Sequence, residues 1–260
     1  MRWKQIYLAR LKREFEDRPF AVDDARALGK KYSPNVVNKL LSEFVREGKI
    51  WRTGRGIYSA VPNPGRGGSQ SGYIDSQTAN KASKVLAEAG VDYMVTGLTV
   101  LGGYIDMLPF RTAHLIYVRS GEGESARAAL ESAGIKYLVN PKNAEEVKKA
   151  MSLVDGEAVV IRERKELMGR VGSLASTERA LVDLYFESTR DKIPVPLTEV
   201  GRIMKEALLG GSVNFTRMTK IASRRGIDEE IRGILVGLGV VPPGKKQVMT
   251  RDVRTILKVA

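Results

Sequence analysis

Polar and cationic side chains that can hold a polyanion are spaced along one predicted helix near residue 40. The set consists of Ser33, Asn35, Asn38, Lys39, Ser42 and Arg46. An asparagine amide can bond an adenine edge at two points, and Lys, Arg and Ser reach guanine or phosphate oxygens. This pattern predicts contact with double-stranded DNA. The alternative interpretation is a solvated helix face that binds no ligand.

An apolar face in the same segment determines which side chains point outward. The apolar positions are Val37, Leu40, Leu41 and Phe44. Their three- and four-residue spacing is that of a buried helix face. Ser33 followed by Pro34 is typical of an N-cap and a first helical residue, because proline gives up no hydrogen bond there.

Two shorter helical patterns precede this segment. The first has an apolar face of Trp3, Ile6, Tyr7, Leu11 and Phe15. Its basic residues, on or near the other face, are Lys4, Arg10, Lys12 and Arg13. The second covers 23–29 and has Asp23 and Asp24 in its first turn, where the helix dipole favours acids. A turn at 29–32 joins it to the third helix.

A hairpin pattern follows the third helix. Residues 49–60 predict two short strands around a turn at 53–56. Arg52 and Arg55 lie where a hairpin can reach the DNA backbone or minor groove, whereas Trp51, Ile57 and Tyr58 are expected to pack beneath it. Three helices followed by a hairpin predict a winged helix-turn-helix over 1–61.

The positive charge is concentrated at the two ends of the chain. Residues 1–66 hold 15 Lys and Arg against 7 Asp and Glu, residues 67–212 hold 18 against 19, and residues 213–260 hold 10 against 4. Basic surface raises affinity for phosphate backbones without selecting a sequence. The charge therefore supports the DNA interpretation but cannot specify a site.

Composition excludes several chemistries. The 260-residue chain has no Cys and one His, which removes disulfides, thiol nucleophiles and Cys- or His-rich metal sites. It has no apolar run near the membrane-spanning length and no signal-peptide pattern, so we expect a cytoplasmic protein without membrane contact. The charged share of 28% is typical of thermophilic proteins.

The remaining chain predicts a linker, a second domain and an extension. Residues 62–72 contain two Pro and four Gly and are expected to be a linker. Alternating helices and strands over 73–192 predict a small α/β domain whose strand directions stay open, and 193–260 predicts a helical basic extension. The fold class is thus mixed, α+β and α/β.

Two hypotheses apply to the segment TGLTVLGGYIDMLPFRTAHLIYV, residues 96–118: it belongs to a nucleotide-using transferase, or it has no catalytic role. A glycine turn that opens a helix, here expected at 98–104, is how nucleotidyltransferases hold phosphate, but these enzymes need carboxylates on the next strand for Mg²⁺. That strand carries His114 and no acid, and Asp106 is isolated. We therefore predict no catalytic residue, metal or cofactor, and a structural or interface role for His114.

Two further basic clusters have more than one interpretation. A solvated edge, or else a partner or nucleic-acid groove, is predicted for Arg162, Arg164, Lys165 and Arg170. The capped pattern at 176–188 predicts a core helix. A second DNA contact, or else a charged surface, is predicted for Arg217, Lys220, Arg224 and Arg225. The segment after Pro243 is expected to be a basic tail.

Four motifs in order resemble the AbiEi-type antitoxins of type IV toxin-antitoxin systems. They are GKIWRTGRGIYSA, TGLTVL, P-F-x4-LIYV and ASTERALVDLY, and the resemblance spans about residues 1–190. It implies a repressor of its own operon and a C-terminal domain that counters a nucleotidyltransferase-type toxin without necessarily touching it. It also implies DNA contacts at Ser33, Asn35, Asn38, Lys39, Arg52 and Arg55.

The C-terminal extension departs from that family, so a stand-alone regulator is the alternative within this class. A protein-interaction module, in which the hairpin binds protein, is the alternative from another class. A palindromic DNA site would require two copies of the chain, which predicts a homodimer.

Overall fold

The chain folds into two compact units built from helices and strands. The structure is a computed structural model that describes residues 2–16, 20–54, 56–60, 73–105, 112–152, 157–190, 192–210, 213–241 and 248–259. Unit 1 is formed by Met1–Ser69 together with Met204–Ala260, and unit 2 by Gln70–Ile203. The predicted mixture of helices and strands is confirmed. The predicted linker 62–72 lies outside the described residues.

The N-terminal part of unit 1 contains three helices and three strands. In chain order they are α1 (Arg2–Phe15), β1 (Phe20–Ala21), α2 (Val22–Leu28), α3 (Pro34–Arg46), β2 (Trp51–Gly54) and β3 (Ile57–Ser59). The antiparallel sheet has the order β1-β3-β2. The sequence did not predict β1, because a two-residue strand has no periodicity and forms only by pairing Phe20 with Tyr58 and Ala21 with Ile57.

One apolar core joins these elements. Its buried members are Tyr7, Leu11, Phe20, Ala25, Val37, Leu40, Leu41, Phe44, Ile50 and Tyr58. The predicted apolar face of α3 is thus confirmed, but that of α1 only in part. Trp3 and Ile6 are 38% and 61% exposed, because Tyr7 and Leu11, with Leu8 and Phe15 beside them, define the side of α1 that meets the core, and the other two residues lie off that side. The Trp3 ring packs instead against Tyr32, with 4.8 Å between ring centroids.

Unit 2 is a six-stranded mixed sheet with four helices. The helices are α4 (Gln77–Glu88), α5 (Gly123–Ser132), α6 (Ala144–Ser152) and α7 (Thr177–Thr189). The strands are β4 (Tyr93–Thr96), β5 (Thr112–Arg119), β6 (Tyr137–Val139), β7 (Glu157–Arg164), β8 (Arg170–Val171) and β9 (Leu174–Ala175). The order is β6-β7-β5-β4-β9-β8. Strand β5 is parallel to β7 and antiparallel to β4, which settles the open question of strand direction.

The prediction of a helix at 98–104 is wrong. Two 3₁₀ turns, Gly97–Val100 and Gly102–Tyr104, occupy this stretch. Gly97 has a φ of +67°, a left-handed conformation that glycine adopts readily and that starts a tight turn. The chain therefore bends sharply after β4 and does not enter a regular helix.

Buried ion pairs hold α7 against the sheet of unit 2. The Glu187 carboxylate lies 2.9 Å from Arg162 Nε and 2.7 Å from Arg164 Nη2, and it accepts a 2.8 Å hydrogen bond from the Tyr117 hydroxyl. Its side chain is 0% exposed. The solvated edge predicted for Arg162 and Arg164 is therefore wrong. Strand β7 lies between β6 and β5, so its arginines reach α7. Lys165 is exposed, and Arg170 pairs with Asp92.

Four further helices follow, and those after Met204 belong to unit 1. They are α8 (Leu197–Leu209), α9 (Phe215–Ser223), α10 (Asp228–Gly237) and α11 (Arg251–Val259). The predicted basic tail is wrong, because 251–259 forms a helix that buries Val253 and Ile256. Val253 and Ile256, three residues apart, were the sequence signal for this helix. The prolines that precede the segment favoured a tail without regular structure instead.

Two glycines of α10 allow later segments of the same chain to approach the helix closely. Their replacement by alanine gives a matched test of that packing. A Cβ on Gly233 would lie 2.5 Å from the Val248 carbonyl oxygen, whereas one on Gly237 would lie 2.3 Å from the Leu257 Cδ1. Backbone cannot yield as a side-chain methyl can. Gly233→Ala should lower the free energy of unfolding by about 1–3 kcal/mol, and Gly237→Ala by less than about 1 kcal/mol.

Urea unfolding followed by tryptophan fluorescence measures this difference. The chain has two tryptophans, Trp3 and Trp51, and both lie in unit 1. Equal stability of the two variants would contradict the close approach at Gly233.

Candidate nucleic-acid interface

Helix α3 presents the predicted polar set to solvent. Ser33, Asn35, Lys39, Ser42 and Arg46 are exposed, and Asn38 is half-buried. Ser33 has the extended backbone of an N-cap (φ −65°, ψ 151°), and Pro34 follows it at the start of the helix. The structure therefore places Asn35, Asn38, Lys39, Ser42 and Arg46 on the side of α3 away from its core contacts, with Ser33 just before its first turn.

An arginine that the sequence did not single out contacts this face. Arg26, on α2, donates from Nη2 to the Asn38 side-chain oxygen at 3.2 Å and from Nη1 to Asp23 at 2.7 Å. This bond engages the side-chain oxygen of Asn38, and the amide N–H group remains a hydrogen-bond donor. The only sequence signal was a basic residue in the last turn of α2, and such a residue more often serves the helix dipole.

The Ser42 hydroxyl bonds back to its own helix. It donates to the Asn38 backbone carbonyl at 3.0 Å, a common arrangement for serine four residues on. Its oxygen still has acceptor capacity toward a donor from outside, whereas its proton is engaged. Ser42 therefore suits an amino group of a base edge better than a phosphate oxygen.

The acidic residue of α3 is neutralised by α1. Lys4 Nζ donates to both Glu43 oxygens, at 2.7 and 2.8 Å. The hydrogen bond from Lys4 is the largest cause of a lowered pKa for the Glu43 carboxyl. The pair ties α1 to α3, and it offsets a negative charge that would repel phosphate. The spacing of 39 residues left no signal for this pair in the sequence.

The hairpin β2–β3 positions one of its two predicted arginines within the described residues. Arg52 is exposed on β2 and opposite Tyr58 on β3. Ile57 and Tyr58 are buried as predicted, whereas Trp51 is partly exposed. Arg55 lies outside the described residues.

Backbone contacts fix the hairpin beside α2. Gly56 adopts a φ of +74° at the turn, and its carbonyl accepts a 2.8 Å bond from the Val22 N–H at the start of α2. The hairpin is thereby attached to the same helices that support α3.

The predicted second basic patch lies on α9 and the turn after it. Arg217, Lys220 and Arg224 are exposed, and Arg225 is half-buried. Helix α9 contacts β2 within unit 1. Asn214 caps the start of the helix, because its side chain accepts a 3.0 Å bond from the Arg217 backbone N–H. The patch and Arg52 thus lie on two elements in contact.

The position that a nucleotidyltransferase would need for metal binding holds a hydrogen-bonded histidine. His114 is buried, with Nε2 3.0 Å from Ser76 Oγ and Nδ1 3.1 Å from Thr99 Oγ1. Ser76 donates to Glu157 at 2.9 Å. Burial lowers the pKa of the imidazole, which Glu157 opposes only in part. Asp106 lies outside the described residues, and within the described ones no cluster of three His, Cys, Asp or Glu could hold a metal.

No protein-family model matches the chain, and no curated protein matches it. Of the helices in the described ranges, none has both the length and the apolar character to cross a membrane.

The Lys4–Glu43 pair predicts a pH-dependent contribution to stability. Because the folded pKa of Glu43 is lowered, the pair stabilises above the unfolded pKa, and this contribution disappears as the pH falls through the folded pKa. Glu43→Gln should therefore lower the melting temperature at about pH 7, and the gap should narrow toward about pH 3.

Fluorescence-detected melting of both proteins at the two pH values is the measurement. Glu47→Gln is the control, because its partner Lys49 and Glu47 itself are 44% and 37% exposed, and such surface pairs contribute little. A gap for Glu43→Gln that stays constant with pH would contradict the assignment.

Proposed function

We propose that the N-terminal part of unit 1 is a winged helix-turn-helix that binds double-stranded DNA, and that the protein is a transcriptional regulator. The observation that carries this proposal is the division of α3. Four apolar side chains are buried, while five polar or cationic ones, Asn38 half-buried among them, lie on the other side, and Ser33 precedes the first turn. A recognition helix requires such a face to enter the major groove.

The order of elements supports the same assignment. Helices α1, α2 and α3 precede an antiparallel hairpin, and β1 adds a third strand beside β3. In the proposed complex α2 crosses the backbone, α3 enters the groove and the hairpin lies alongside as the wing. The surplus of basic residues over 1–66, 15 against 7, supplies the general attraction to phosphate.

Each residue of the interface has a proposed role. Asn35, Asn38 and Lys39 would read base edges, with Arg26 orienting Asn38. Ser42 would accept a bond from an amino group of a base edge. Phosphate and groove-edge contacts fall to Ser33, Arg46, Arg52 and Arg55.

For the whole chain we propose an antitoxin-like autorepressor that works in the cytoplasm. The support is the order of motifs that resemble AbiEi-type antitoxins, two of which fold as the turn after β4 and as the capped helix α7. Unit 2 would then counter a nucleotidyltransferase-type toxin. A toxin gene beside this one would support that role, and its absence would favour a stand-alone regulator.

We also propose that the protein binds DNA as a homodimer and that unit 2 has no catalytic role. Exposure of Trp3 and Ile6 on α1 supports a protein contact, because large apolar side chains on a surface favour association. Both His114 nitrogens are engaged by hydroxyl groups, which supports a structural role for this histidine. It lies on the strand where a nucleotidyltransferase would need metal-binding carboxylates.

The double variant Asn38→Ala with Lys39→Ala tests the function. Removing two base contacts worth about 1–3 kcal/mol each should weaken binding to a preferred duplex by about 30-fold or more. Binding to a scrambled duplex should persist, because phosphate contacts carry it. Fluorescence anisotropy with a duplex that the full chain enriches from a random-sequence pool measures both.

The control removes the same side-chain types from α4 in unit 2. Asn80→Ala with Lys84→Ala replaces one asparagine and one lysine that are both exposed. If the α3 variant discriminates between the two duplexes as well as this control does, α3 is not the reading element.

A further inference from the structure

We propose that α9 extends the DNA-binding surface beyond the hairpin by holding phosphates through Arg217 and Lys220, with Arg224 next to them. This inference rests on the proposed function and adds to it. It makes the DNA-binding surface discontinuous in sequence, with one part from the first 60 residues and one from beyond residue 213.

The position of α9 is set by its buried side. Phe215, Met218, Ile221 and Ala222 are buried, and α9 contacts both α10 and β2. Because the helix is held on its apolar side, its opposite side has a fixed direction. The strand that it contacts carries the exposed Arg52, so these two neighbouring elements of unit 1 both carry exposed cations.

The cations of α9 lie close together along one side. Positions 217, 220 and 224 are three and four residues apart, which places their side chains on neighbouring turns of one face. The helix FTRMTKIAS has no acidic residue. The side of α9 away from its core contacts is therefore cationic.

Phosphate is the ligand that the surface fits best. The exposed residues of α9 and its flanks are all polar, namely Asn214, Thr216, Arg217, Lys220, Ser223 and Arg224. A protein interface has an apolar or aromatic centre, which this side of α9 does not offer. Cationic side chains without such a centre suit the DNA backbone, where contacts set position and strength but not sequence.

The nearby acids belong to the next helix. Asp228, Glu229 and Glu230 form the first turn of α10, where they complement the helix dipole. Even with these acids, residues 213–260 hold 10 Lys and Arg against 4 Asp and Glu.

The test uses the double variant that carries both Arg217→Gln and Lys220→Gln. It is compared with a control that removes two charges from unit 2. The control is Lys84→Gln with Lys149→Gln, since both lysines are exposed on helices of unit 2. The probe is the duplex that the full chain enriches from a random-sequence pool. Two readouts are used, the slope of log K against log salt and a hydroxyl-radical footprint.

We expect the α9 variant to reduce the magnitude of the salt slope by about 0.9 for each phosphate that it no longer neutralises, about 2 in all. The footprint should shorten on the side of the hairpin, and the ratio of preferred to scrambled affinity should stay the same. The charge-conserving variant Arg217→Lys with Lys220→Arg should retain the parent slope, which separates the effect of charge from that of altered folding.

The outcomes separate this inference from the proposed function. If the α9 variant matches the unit 2 control in slope and footprint while the Asn38 and Lys39 double variant loses selectivity, α9 does not touch DNA and the function stands. If the Asn38 and Lys39 variant also keeps its selectivity, both proposals fail.

Discussion

Burial of one side of α3 is the constraint on which the interface depends. Val37, Leu40, Leu41 and Phe44 are each almost fully buried, and each contributes about 1.5–3 kcal/mol of hydrophobic stabilisation. Rotating the helix by one position would place either Asn38 and Ser42 or Lys39 and Glu43 in the apolar core, at a cost that no surface contact offsets. The outward direction of the polar face therefore follows from packing, and the contacts from Arg26 and Lys4 only refine it.

The sequence predicts features that depend on local chemistry and misses those that depend on distant partners. The start of α3 at Ser33 and Pro34 and its buried face are local. The contact of Arg26 with Asn38 spans 12 residues and that of Lys4 with Glu43 spans 39, so no periodicity reveals them. Arg162 and Arg164 look solvated in sequence for the same reason, because Glu187 on a later helix supplies their partner. The DNA-binding roles themselves stay predictions.

The two units use charge in opposite ways. In unit 2 the Glu187 and Asp183 carboxylates are fully buried and are matched by arginines and hydroxyl groups. Charges so deeply buried must be paired, because removing one partner leaves an uncompensated ion. In unit 1 the cations of α3 and α9 face solvent, where neutralisation can come from outside the chain.

The split of unit 1 into two chain segments has a consequence for biosynthesis. A ribosome must translate residues 70–203 between the two segments, which takes about 7–27 s at typical elongation rates. During that interval the nascent chain carries the hairpin β2–β3 without the helix α9 that contacts β2. The first unit to be started is thus the last to be finished, and a polypeptide released early would lack the second half of that unit.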